Sequence, residues 1–447
     1  MIYRFLPTFL AALWLSASAL AQQPLDLKSA MRYAAEHHAS IQKANIEIAK
    51  GKELIRESVS TGLPQVDFRS NLTNNLKLPV SLVPAEFFGG QPGDFAEISF
   101  GTNWNANAGV ELNQMAYNQS WLLALKATRA VNDFYRLVLD KTKEDVVYEV
   151  AKVYYQIQLT HTQRGILQAN LNQIKGLLSV TEKQFANGFA KKIDVDRLSV
   201  QQSNLSMQIQ NLDLQIEQLE DALKFAMNMP LETQITLTDT ITETSLKEVD
   251  VTLAQPAFQQ KTDLLVVKKQ IELWDLDVRR YRAGYFPVVS VFANYNYQWQ
   301  ANSLGDLGTG QYWSDFSSAG LRINVPIFDG FYKSSKMQTA RLNGLQAQQD
   351  YNFTLLGLQL QHQTAVTALR VNQNNLRTVQ DTRRVAEDVY RVSQSRFKEG
   401  IAPITEVLDA ENALRQAQSN YITTLAQIKL AEIDLLNANG LLIKMTE

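Results

Sequence analysis

The sequence predicts an α+β membrane protein built as a tandem duplication, with long coiling helices and two short membrane strands in each copy. Three observations predict it. The first is a narrow apolar seam made by Val407, Ala410, Leu414, Ala417, Tyr421, Thr424, Ile428, Ala431, Leu435 and Ala438, spaced alternately three and four residues apart, which is a coiling helix face of about ten turns. The second is the same seam 212 residues earlier: Val195, Leu198, Gln202, Leu205, Ile209, Leu212, Ile216, Leu219, Leu223 and Ala226. The third is a change of hydrophobic period from about 3.6 to about 2, which happens in both copies and leaves one apolar and one amide-rich face.

Composition narrows the class. The chain has 447 residues, 45% hydrophobic and 20% charged, the balance of a folded protein with a large or extended core. A net charge of −2 gives no basic footprint for nucleic acid. The absence of cysteine excludes disulfides, thiolate metal sites and cysteine nucleophiles. Residues 1–21 read as a signal peptide: Arg4, an apolar run from Phe5 to Leu20, and Ala19-Leu20-Ala21 as the cleavage site. No later run is apolar enough for a transmembrane helix.

The elements follow in order. The first repeat spans 22–230. Leu27, Ala30, Ala34, Ile41, Ala44, Ile48 and Leu54 pattern a helix that Gly62-Leu63-Pro64 ends. A strand is expected at about 64–76, with Val66, Phe68 and Leu72 alternating with Asp67, Arg69, Asn71 and Thr73. A Pro/Gly-rich loop follows, then a second strand at about 99–116, in which Trp104, Ala106, Ala108, Val110 and Leu112 alternate with Asn105, Asn107, Glu111 and Asn113. The proline-free stretch from Asn118 to Ala186 predicts a helix about 100 Å long. Gly188 turns it, and the first seam returns until Pro230. An acidic, Thr-rich connector fills 231–260. The second repeat, 261–440, repeats the plan: a helix, strands at about 287–301 and 318–328, a long helix from Tyr332 to Lys398, a turn at Gly400, and the second seam. A tail occupies 441–447. Each repeat has one helix of nearly 70 residues and two shorter ones, which laid end to end give a uniform tall cylinder.

The strands carry the functional argument. Apolar residues face one way, with Trp104, Tyr295, Tyr297 and Trp299 as an aromatic girdle near one end; amides face the other. That is the pattern of a transmembrane barrel. Lipid tolerates no open sheet edge, because an unpaired backbone group there costs several kcal/mol. Four strands cannot close a barrel, so several chains must share one. Two chains give eight strands, a barrel filled by its own side chains; three give twelve, with room for a lumen.

At this point the chain resembles the TolC family of outer-membrane efflux proteins, over essentially all of the mature sequence. The marks are Asn324-Val325-Pro326-Ile327-Phe328-Asp329-Gly330 at a strand-to-helix passage, and Phe397-Lys398-Glu399-Gly400 followed by Glu406-Val407-Leu408-Asp409-Ala410. The resemblance implies a homotrimer with a shared 12-stranded transmembrane β-barrel, a long periplasmic α-helical barrel, and an equatorial belt from the connector and tail. It implies the exit duct of a tripartite efflux or type I secretion pump. A periplasmic membrane-fusion adaptor recruits the duct, an inner-membrane transporter of RND, ABC or MFS type powers it, and outer-membrane lipid surrounds it. The turns matching the adaptor contacts are Asn187-Gly188-Phe189 and Glu399-Gly400-Ile401. The acidic positions matching the gated constriction are Asp194, Glu406 and Asp409, which three-fold symmetry turns into rings. Where the family's pattern has a tyrosine and an arginine that tie the closed mouth, this chain has Phe397 and Ala402, which leaves Lys191, Lys192 or Arg197 as alternative ties.

Other chemistry is not indicated. His37-His38, His161 and His362 lack ligand spacing, and no phosphate loop, nucleophile motif or zinc motif occurs. No enzyme, cofactor or metal is therefore expected. A trimeric outer-membrane stalk or adhesin is the alternative, but such proteins place a C-terminal anchor after a repetitive stalk, whereas these strands are internal and occur twice.

Overall fold

A computed structural model describes residues 23–239 and 258–445. The signal peptide expected at 1–21 and most of the connector, 240–257, lie outside the described residues. The elements are β1 (Gln23–Leu25), α1 (Leu27–His37), α2 (Ala39–Ser60), β2 (Gln65–Asn74), β3 (Val80–Pro84), β4 (Phe95–Ser99), β5 (Trp104–Tyr117), α3 (Gln119–Ala186), α4 (Lys192–Met227), β6 (Ile235–Leu237), α5 (Thr262–Ala283), β7 (Val288–Ala301), β8 (Trp313–Asn324), α6 (Tyr332–Lys398) and α7 (Ile404–Ala438). They fall into two compact units, the described parts of 1–45, 137–265 and 352–447, and of 46–136 and 266–351. Among the described residues no helix is long and apolar enough to cross a membrane.

The sheet unit holds four antiparallel strands in the order β2-β5-β7-β8. Two expected strand bounds shift. The strand expected at 318–328 runs from Trp313 to Asn324, because Pro326 has no N–H to give a ladder. The strand expected at 99–116 starts at Trp104, because Thr102 and Asn103 are engaged at the rim. There Asn75 donates its backbone N–H to Asn103 O at 2.7 Å and its Nδ2 to Thr102 O at 2.9 Å. The expected Pro/Gly loop contains a hairpin of β3 and β4.

The helical unit is built on α7. All ten residues of its seam are buried. On α4 the equivalent seam buries Leu198, Leu205, Ile209, Ile216, Leu223 and Ala226, with the other four half-buried. A second core forms where β1 pairs in parallel with β6. Met31, Val147, Val150, Tyr154, Leu223 and Met227 pack there. The Tyr154 hydroxyl donates to Leu25 O and lies 3.0 Å from Asp239, whose carboxylate also accepts the Leu27 N–H. Asp26 caps α1 through the Ser29 N–H at 2.8 Å. The first helix, read from the sequence as continuous, breaks at the extended residue His38.

Candidate functional site: a two-faced sheet and two helical turns

The register of the sheet sorts its faces. Leu72, Ala106, Trp299 and Trp313 form one cross-strand row; Phe68, Val110, Tyr295 and Ser317 form another; Val66, Leu112, Ala293 and Ala319 a third. The intervening rows are polar: Asn71, Asn107, Gln298 and Ser314, then Asp67, Glu111, Asn294 and Ser318. A slip of one residue in any strand would mix the two faces. On the apolar face Val66, Phe68 and Leu72 are exposed at 66%, 71% and 53%, far too much apolar surface for water. On the polar face Gly109 is required: a Cβ there would sit 2.1 Å from Asn296 Oδ1. Arg69 reaches Glu111 at 3.6 Å, and Arg322 stacks on Phe292.

The expected girdle is placed unevenly. Tyr295 and Tyr297 are exposed on the apolar face, and Tyr295 donates its hydroxyl to Asp315 at 3.1 Å. Trp104 is half-buried. Trp299 is a correction: it is fully buried, not surface-facing. The short helical turn Leu304–Thr309 folds back against β7, and Trp313 donates Nε1 to Leu307 O at 3.4 Å. At the opposite ends of the strands lies a second aromatic set, with Tyr117, Tyr285, Phe286, Phe328, Phe331 and Tyr332 exposed. Sequence reasoning missed it because these residues fall outside the alternating runs. The clustering in Phe328-Asp329-Gly330-Phe331-Tyr332 was the available signal.

The two turns are structural duplicates. Gly188 and Gly400 take φ of 78° and 75°, a conformation glycine adopts without penalty. Phe189 N–H donates to Gln184 O at 2.7 Å and Ile401 N–H to Arg396 O at 2.9 Å, the same six-residue closure of a helix end. Phe189 and Ile401 are left 85% and 64% exposed, a repeated apolar tip beside Asn187 and Glu399.

The three acidic positions differ from one another. Asp194 is half-buried and Asp409 exposed, and among the described residues no ion pair involves either. Glu406 is held by Arg396 at 2.6 Å and lies 3.4 Å from Ser393 Oγ. Lys191, Lys192 and Arg197 are exposed and form no ion pair among the described residues. Phe397 and Ala402 are both buried, and Phe397 packs with Tyr390, Ile404 and Val407. These contacts bind α6 to α7. Among the described residues no group of three or more His, Asp or Glu is placed to hold a metal ion.

Comparison with known proteins agrees with this geometry. Residues 253–441 match the family model described as outer membrane efflux protein. Outer membrane protein TolC of Vibrio cholerae serotype O1 is 21% identical over 358 residues, covering 75% of this chain and 79% of that protein. The outer membrane protein VceC of Vibrio cholerae superposes with a TM-score of 0.71 at 17% identity, over 93% of this chain and 96% of that one. The CmeC outer membrane channel of Campylobacter jejuni gives 0.74 at 15% identity, over 93% and 85%. The chain thus shares the fold of these outer-membrane channels.

Proposed function

We propose that three copies of this chain form a passive exit duct that a periplasmic adaptor joins to an inner-membrane transporter. One observation carries the reading: four strands keep apolar and polar rows in register while β2 and β8 each have an unpaired edge. In lipid those edges must be paired, and β8 of one copy against β2 of the next closes a twelve-stranded barrel with a polar lumen. The apolar rows then face lipid, and the two aromatic sets stand at the two membrane interfaces. The repeated tips, Asn187-Gly188-Phe189 and Glu399-Gly400-Ile401, present the adaptor with an exposed apolar residue on a rigid turn. Native mass spectrometry of the detergent-solubilised protein, with conductance in planar bilayers, tests this. A trimer that conducts is expected; a monomer, or a trimer impermeable even with its adaptor, overturns it.

Asp194, Glu406 and Asp409 form the acidic constriction, with unequal weights. Arg396 offsets the Glu406 charge, so Asp409 and Asp194 supply most of the negative field. Asp409→Asn should lower cation preference and weaken block by multivalent cations, whereas Glu406→Gln should do so less. Equal effects of the two substitutions in bilayer recordings would contradict this ranking.

A further inference from the structure

We infer that Arg282, Lys333 and Lys336 form a binding surface for anionic phospholipid headgroups, with Tyr285, Phe331 and Tyr332 seating the lipid beside them. The inference rests on the duct reading above and adds to it a lipid site in the periplasmic leaflet.

Charge is distributed unevenly about the sheet. In the stretches 57–64, 118–122, 280–287 and 325–336, which join strands to helices, the charged residues are Arg280, Arg282, Lys333 and Lys336 against Glu57 and Asp329. In the loops at the other end, 75–103 and 302–312, they are Glu86, Asp94, Glu97 and Asp306 against Lys77. Phosphate at headgroup level attracts the first end and repels the second. Not all of the first set is free to act. Arg280 is taken up by Asp277 at 2.7 Å and Lys333 by Asp329 at 2.9 Å. Arg282 and Lys336 are exposed and form no ion pair among the described residues.

The cations are gathered around tyrosines. Lys333 joins the α5–β7 connection to the start of α6: its Nζ stands 5.5 Å from the Tyr285 ring, and a Cβ on Gly284 would lie 3.2 Å from its Cδ. Lys336 follows on the same face of α6, 5.7 Å from the Tyr332 ring. Arg282 precedes Tyr285 by one turn, and the Tyr285 N–H donates to Arg282 O at 3.3 Å. A ring beneath an ammonium holds it in place without using up its N–H donors. Among the described residues no hydrogen bond uses the Arg282 guanidinium, so its planar fork is available to a phosphate.

The backbone supplies a separate observation. Phe331 takes φ of 68° directly after Gly330 at 63°, a conformation that a bulky residue adopts at a cost. Its ring packs edge-on to Phe328 with centroids 5.5 Å apart, yet the two remain 70% and 76% exposed. Contacts within the chain therefore do not offset the strain. Acyl chains at the headgroup boundary would, by covering both rings. Exposed rings beside unpaired cations match both halves of a phospholipid, whereas a free anion needs only the cations.

The test is native mass spectrometry of the full-length trimer in detergent, with phosphatidylglycerol or phosphatidylethanolamine of equal acyl chains added. Each basic side chain near an anionic lipid surface is worth roughly fivefold in affinity, so phosphatidylglycerol should be retained at least about tenfold better. Arg282→Gln with Lys336→Gln should abolish that preference. Arg282→Lys with Lys336→Arg should keep it, and so should Lys77→Gln at the other end. Phe331→Gly should weaken retention of both lipids alike, because it removes a ring and no charge. Equal retention of the two lipids by wild type, or a glutamine pair that binds as wild type does, overturns the site; a trimer that still conducts then leaves the duct standing. Displacement of the lipid by inorganic phosphate at equal concentration also overturns it, since the rings would then contribute nothing. A protein that forms no conducting trimer overturns the duct reading and the site with it.

Discussion

Glu144→Ala should destabilise the helical unit far more than a typical single substitution. Lys261 Nζ contacts Glu144 Oε2 at 2.6 Å, with side chains only 4% and 11% exposed. Thr262 Oγ1 donates to the other carboxylate oxygen at 2.5 Å. The alanine removes both acceptors and leaves a buried ammonium. Its remaining partners are distant: Asn437 Oδ1 at 3.5 Å and Asp263 Oδ2 at 3.9 Å. Breaking one side of a buried pair costs about 3–5 kcal/mol, and the residual partners place this case near the lower figure. At about 2 °C per kcal/mol for a unit of this size, the melting transition should fall by roughly 6 °C. Circular dichroism melting of the detergent-solubilised protein reads it directly. Replacing both partners, Glu144→Leu with Lys261→Met, should recover most of the loss, since no charge is then stranded. A Glu144→Ala protein melting together with wild type would refute the burial argument; a double variant as unstable as the single one would refute the charge argument.

Two further predictions concern the sheet. Phe68→Arg places a charge on the exposed apolar face at a cost of about 2–4 kcal/mol if that face meets the middle of the bilayer; the amount of assembled trimer in outer-membrane fractions should fall sharply, and unchanged insertion would argue that the face is not lipid-exposed. Gly109→Val in the central strand β5 should prevent assembly, because its Cβ would stand 2.1 Å from Asn296 Oδ1 and 2.8 Å from Tyr295 O; Asn296→Ala in the same chain should restore only part of it, as the backbone oxygen remains.

What could be read from the residues alone was periodic. The α7 seam, both turns, the long helices and the facing of the strands all repeat at 3.5, 3.6 or 2 residues, and the offset of 212 residues reproduces even the turn hydrogen bonds. What could not be read depends on which repeat ends up covered. Trp299 looks like a surface aromatic by alternation, yet the non-repeating turn Leu304–Thr309 lies against its strand. Glu406 looks like a free carboxylate, yet Arg396, ten residues before it, crosses the helical turn to neutralise it. Glu411 gave no signal because a lone acid within a seam resembles a solvated position until its burial is known. Trp299, Glu406 and Glu411 each depend on a neighbour that duplication does not supply, and periodicity carries no information about such neighbours.

The same asymmetry leaves both units with surface that no part of the described chain covers. On α4, Ile193, Val200, Met207 and Leu214 are exposed at 51%, 61%, 55% and 59%, one residue in every seven, which is the repeat of a coiling face without a partner. On α6, Val385, Val389 and Val392 are exposed at 56%, 49% and 54%, at spacings of four and three. The helical unit thus leaves apolar stripes on two helices while α7 is covered along its whole seam. The sheet unit separately leaves backbone donors and acceptors on β2 and β8. One deficit is hydrophobic and tolerable in water at a cost proportional to area; the other is polar and intolerable in lipid. In the proposed trimer additional copies meet both, so loss of the proposed pairing of β8 with β2 of the next copy should expose the α4 and α6 stripes together with the strand edges.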